Sequence, residues 1–183
     1  MDKLDGKFKE VLEFRSTLDN ESDRGCALMA AAYLDDNLKA LIQSGLVDDT
    51  HVAGKIIGTS GPLGTFSSRI DMCYLLGYVS SEAHRDLHLI RKIRNEFGHN
   101  SKQISFNSDS IKNRCFEIYH KFRPNTDPPR SLFTNSVCGV LAMIHGAVLD
   151  QSRPKPVPRM EITDGAKKRV AARSEELFEL LSK

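Results

Sequence analysis

Apolar residues in this chain recur at spacings of three and four along most of its length and seldom alternate, so its buried faces have the period of helices. β-branched clusters are few, no internal repeat is visible, and helix-capping residues stand at regular intervals. The chain therefore reads as all-α, a compact helical bundle of about six to eight helices. A first short helix carries Leu4, Phe8, Val11 and Leu12. A long second one runs from about Glu21 to Ser44, opened by Asn20 and Asp23, with Ala27, Leu28, Ala31, Leu34, Leu38, Leu41 and Ile42 on one stripe and Gly45 as its stop. A turn or two around Val52, Ile56 and Ile57 leads to the loop GTSGPLG. Thr65 caps a helix bearing Phe66, Ile70, Cys73 and Tyr74, which Gly77 ends. Ser80 or Ser81 caps the next, with Ala83, Leu87, Ile90, Ile93 and Phe97 ahead of Gly98. Ser108 opens a helix with Ile111, Cys115, Ile118 and Phe122, terminated by Pro124 and DPP at 127–129. Another, from about Ser131 to Leu149, holds Phe133, Val137, Val140, Leu141, Ile144 and Val148.

After residue 150 the composition changes. SRPKPVPRM places three prolines in nine residues, which implies an extended linker before a last helix opened by Asp164 and striped with Val170, Leu177 and Leu181. The expected organisation is a helical domain at 1–150 and a linker with a helical arm at 151–183. A chain of 183 residues, 40% hydrophobic and 27% charged, can bury roughly 70% of its unfolded surface without disulfide or metal. No apolar run approaching the roughly 20 residues of a membrane span stands out, and MDKLDGKFKE lacks a secretory apolar stretch, so a cytoplasmic protein is expected. Four cysteines far apart in sequence form no C-x-x-C pair and are expected reduced and mostly buried. A net charge of +2 makes no global case for nucleic acid.

The stretch IRKIRNEFGHN, residues 90–100, joins a permanent cation to the side chain that titrates near neutrality. By spacing, Arg94 lies in or beside the apolar stripe of its helix, and His99 follows at the helix exit. Such a pair suits phosphodiester chemistry: the imidazole moves a proton of a ribose hydroxyl or leaving oxygen, the guanidinium holds the phosphate, and Asn95 binds the phosphate or fixes the imidazole. The plainer alternative pairs Arg94 with Asp35 or Asp36 and leaves His99 to cap carbonyls.

Arg94, Asn95 and His99, set in IRNEFGH, resemble the R-N-x-x-x-H motif of the HEPN superfamily, helical domains that include metal-independent ribonucleases. Together, ESDRGCALMAAAYLDDNLKALI (21–42), GPLGTFSSRIDMCYLLGYV (61–79) and IRKIRNEFGHNSKQISFNSDSI (90–111) resemble the bacterial mannitol-operon repressor family. That resemblance implies a transcriptional regulator working through protein partners. The HEPN likeness implies that Arg94, Asn95 and His99 form the catalytic set and meet their counterparts across a homodimer. RNA is then a possible substrate, and a helical protein-interaction module is a third reading.

No helix-turn-helix, zinc-finger spacing or basic stripe marks the main domain, so specific DNA binding is not expected. No cofactor is implied. His84 and His88 lie four apart on one helical face, but without an evident third ligand they read as solvated histidines, and no metal is expected. GTSGPLG lacks the G-x-x-x-x-G-K-[ST] order of a phosphate loop and reads as a turn, with Arg69 after it a lesser anion candidate. Asp23 and Arg24 read as helix-start residues, or as the frame of a pocket around Arg94 and His99. Between residues 151 and 174, seven basic residues stand against two acidic, which suits a solvated face or weak, salt-dependent attraction to phosphate.

Overall fold

A computed structural model describes residues 2–120, 127–150, 152–158 and 163–182. Phe122, Pro124, Arg159, Glu161 and the side chain of Leu4 lie outside the described residues. Eight helices follow one another among the residues described: α1 Asp2–Asp19, α2 Asp23–Ser44, α3 Thr50–Ile57, α4 Phe66–Leu75, α5 Ser81–His99, α6 Asp109–Glu117, α7 Pro129–Asp150 and α8 Asp164–Leu181. There is no strand among these residues, and the bundle is all-α, as the periodicity implies.

α2 is the axis, packing against α1, α4, α5 and α7. Ala27, Ala30 and Ala31 are buried in its first half, where short side chains let neighbours approach, and Leu34, Leu38, Leu41 and Ile42 fill its second. Each large side chain buried this way contributes about 1.5–3 kcal/mol from its removal from water. α2 begins later than expected: Ser22 is its N-cap, accepting from Gly25 N at 3.0 Å. Asn20 instead donates its side chain to Ser16 O at the end of α1. α1 is not short but 18 residues long, and it buries Val11 while leaving Phe8 and Leu12 exposed.

The hairpin of α4 and α5 positions the site. Thr65 caps α4 as expected, with a reciprocal bond pair to Ser68. The preceding loop closes so tightly that a side chain on Gly64 would come within 2.4 Å of Thr59 O. Gly77, at φ 72°, turns the chain between α4 and α5 in the left-handed region that glycine alone enters freely. Ser80 caps α5. Ala83, Leu87, Ile90, Ile93 and Phe97 are all buried, and the helix runs past Gly98 to His99. Phe97 touches Phe106, and Phe106 touches Phe133, with ring centroids 5.1 and 5.0 Å apart. This aromatic chain pins the segment after α5 onto α7.

α7 corrects the expectation about apolar runs. Its 22 residues are long and apolar enough to cross a membrane by length and composition, and half of that stretch is buried within the bundle. Leu132, Phe133, Val137, Val140, Leu141 and Ile144 are fully buried there, a role that accounts for the composition. Cys26, Cys73 and Cys115 are buried, Cys138 is half-buried, and all four are free thiols. Residues 152–158 are exposed throughout, and α8 buries no side chain, Val170, Leu177 and Leu181 included. Arg153, in that exposed segment, pairs with Asp48 of the α2–α3 connection at 2.8 Å.

Candidate functional site

Arg91, Arg94 and Asn95 share the outward side of α5, spaced by three and four residues. They face the start of α4 across an open cleft of about 350 Å³, lined also by Asp35, Gly64, Thr65, Phe66 and Ser67. Arg94 is exposed on the solvated side of α5, which corrects its expected place in or beside the apolar stripe, where Ile93 is buried as expected. Its Nη1 donates to Asn95 Oδ1 at 2.9 Å. Arg91 is half-buried, and its Nε is buried without a hydrogen-bond partner.

The carboxylate in the cleft is already engaged. Asp35 Oδ1 accepts from Arg69 Nη1 at 2.7 Å, and Arg69 Nη2 donates to Ile57 O at 3.1 Å. Arg69 is buried, so it joins α4 to α2 and the end of α3 and does not present itself to an anion. Among the described residues Arg94 bonds Asn95 and makes no hydrogen bond to Asp35 or Asp36, while Asp35 is held by Arg69. With Asp35 and Arg69 balanced, Arg91 and Arg94 leave the cleft positive, and the N-terminus of α4 adds its dipole. This arrangement suits a carboxylate or phosphate.

His99 ends α5, exposed, and makes no side-chain hydrogen bond among the described residues. It does not line the cleft. Five positions along a helix turn it about 140° from Arg94, so within one chain the two do not converge.

Asp23 and Arg24 line a separate hollow of about 700 Å³ with Ser22, Ser101, Gln103, Ile104, Ser105 and Ser108. Asp23 accepts from Phe106 N at 3.0 Å and from Arg130 Nη1 at 2.7 Å. Arg24 Nη2 donates to Asn100 O at 2.7 Å and Lys102 O at 3.1 Å. Both residues fasten the segment leaving His99 and stand apart from the Arg94 cleft. Glu96 holds the other flank, accepting from Ser110 Oγ and Arg114 Nη1 of α6.

Two features escaped sequence reasoning. Asp86, fully buried, accepts from Tyr119 N at 2.9 Å, His120 N at 2.8 Å and His120 Nδ1 at 2.7 Å, and so clamps the end of α6. Its signal was a lone carboxylate amid the apolar positions of α5. His84 and His88 are not simply solvated either, because the α4–α5 hairpin brings Asp71 against both.

A sequence model of the family described as "Mannitol repressor" matches residues 9–126. Among solved structures, the chain is similar to one described as the X-ray structure of the MtlR–HPr complex from Escherichia coli. The TM-score is 0.64 and the identity 20%, over 76% of this chain and 99% of that one, a likeness of fold. Nothing among curated proteins matches. The match over 9–126 takes in the start of α2, the α4–α5 hairpin and the whole Arg94 cleft, and by it this chain belongs to the mannitol repressor family.

Proposed function

We propose that this protein is a cytoplasmic transcriptional regulator of the mannitol-repressor type that acts through a protein partner of the HPr kind and does not itself read DNA bases. The observation that carries this reading is the fold shared with a chain of the MtlR–HPr complex, nearly all of which this chain covers, beside the match to the mannitol repressor family. Its own surface supplies the contact: Arg91 and Arg94 beside the start of α4, a positive concavity for an acidic group on a partner. Calorimetric titration with the HPr of the same organism should show saturable binding, weakened by the paired change Arg91→Glu with Arg94→Glu. Absence of that binding, together with nanomolar affinity for one promoter fragment at physiological salt, overturns the proposal.

A second reading has its own support. Neither Arg94 nor His99 is consumed by the scaffold, and their separation around α5 calls for a second subunit to complete a ribonuclease site with Asn95. A homodimer that cleaves RNA in EDTA to 2′,3′-cyclic phosphate ends, and loses this on His99→Gln, would place the chain with the metal-independent ribonucleases. No cleavage by the dimer removes that reading.

A further inference from the structure

The hairpin between α4 and α5 sets Asp71 opposite two histidines one turn apart. Asp71 Oδ1 lies 2.8 Å from His84 Nε2 and 2.9 Å from His88 Nε2, and the two Nε2 atoms are 3.2 Å from each other. Three ligand-type atoms thus form a small triangle. A tetrahedral ion bound at about 2.0–2.1 Å to imidazole nitrogen and carboxylate oxygen needs ligand atoms about 3.3–3.4 Å apart. The triangle has to open by only a few tenths of an ångström, within the reach of three side chains that are exposed or half-buried.

Proton bookkeeping within the triangle favours a cation. If both Nε2 atoms carry hydrogen, both serve Asp71, but two donors then face each other at 3.2 Å with no acceptor between them. If one lacks hydrogen, its lone pair faces the carboxylate. A divalent ion replaces every one of these contacts with an attractive one. The side chains are also held in place: the Tyr74 ring packs on His84 with centroids 4.7 Å apart, and the His84 and His88 rings meet edge-on with centroids 4.6 Å apart.

We propose that Asp71, His84 and His88 form a binding site for a divalent transition-metal ion of the Zn²⁺ class, with water completing its coordination. Two imidazole nitrogens and one carboxylate suit Zn²⁺, Co²⁺ or Ni²⁺ over Ca²⁺ and Mg²⁺, which prefer oxygen ligands throughout. With Asp71 on α4 and the histidines on α5, the ion is a clip between the two helices that flank the Arg94 cleft. A ligand of the folded state alone raises stability by mass action. The site stands whether the cleft serves a protein partner or RNA.

The test uses untagged full-length protein, stripped with EDTA and exchanged into chelator-free buffer. Titration with Zn²⁺ should show a single saturable site, Co²⁺ should give visible ligand-field bands, and Zn²⁺ should raise the melting temperature. Asp71→Asn, His84→Ala and His88→Ala should each weaken binding by about tenfold or more. The His84→Ala, His88→Ala double variant should lose both the cobalt bands and the thermal shift while keeping its helical circular dichroism. His84→Gln gives a second variant of similar bulk should an alanine fail to fold. No saturable binding at submillimolar Zn²⁺ overturns the proposal. So does binding that survives in the double variant, or that disappears instead on Cys138→Ser.

Discussion

Arg94 lines the cleft from α5 and Arg69 lies buried on α4 against the cleft's Asp35, but only Arg69 holds the fold. Removing it in Arg69→Met strands Asp35 and should cost about 3 kcal/mol, the lower part of the range for breaking a buried pair because Asp35 keeps some contact with water. In a chain of this size that lowers the melting temperature by roughly 6–12 °C. Arg94→Ala removes an exposed side chain bonded only to its neighbour and should leave the melting temperature nearly unchanged. Calorimetry on the two variants checks the contrast, and equal losses would refute it. Sequence reading separated these residues poorly. Spacing puts Arg94 at the edge of the stripe that holds Ile90, Ile93 and Phe97 but does not say whether an edge position is covered, and nothing local to Arg69 announces a partner 34 positions away. His145 shows a titration that sequence did not signal. It is buried, with Nε2 2.8 Å from Asn37 Oδ1 and Nδ1 unpartnered, and burial, reinforced by Lys7, pushes its pKa down. The unfolded chain then binds the proton more readily than the folded one, so this contribution to stability is intact above about pH 6.5 and is lost as pH falls below it. Chemical denaturation from pH 7.5 to 5.5 should show the decline, and His145→Gln should flatten it.

Helix starts were the most legible elements where the cap is local. Thr65 and Ser80 cap α4 and α5 through bonds to residues three positions on, a relation any reader of the sequence can see. The start of α2 is less legible because the local signal is divided: Ser22 takes the cap, while Asp23 turns its carboxylate to Phe106 and Arg130, 83 and 107 positions away. The Asp71 cluster was hidden for a similar reason, since a turn through Gly77 must form before α4 meets α5. Thr65→Ala tests how far a cap supports function as well as structure. Loss of the bond to Ser68 N should cost about 1 kcal/mol. Because Thr65 also lines the cleft, affinity for the partner should fall along with stability. Full affinity in a destabilised Thr65→Ala protein would remove the start of α4 from the contact.

At the scale of the molecule, burial divides the chain unevenly. The bundle through α7 contains every buried residue described, whereas residues 152–158 and α8 contribute none. We propose accordingly that 1–150 is the folding domain and the remainder an arm. Protein ending at residue 150 should melt within a degree or two of the full chain and keep its light-scattering mass, and the expected mass is that of a homodimer. A large fall in melting temperature would tie the arm into the core. The overall class was legible because helical period pervades the chain, but pairing between chains leaves no such trace in one sequence. The four unpaired thiols have a kinetic consequence. Burial pushes Cys26 up to about 11 and Cys73 and Cys115 up to about 12, and it raises Cys138 less. An alkylating reagent at neutral pH is attacked by the thiolate, which displaces its leaving group, so three of the four cysteines stay silent until the bundle opens. Cys138 lies in the shallow groove between α1 and α7, and it should react first, as α1 lifts away. Mass spectrometry of timed alkylation should therefore find one fast adduct followed by three that arrive together, a clock in which the first interval measures fraying and the second the lifetime of the whole fold.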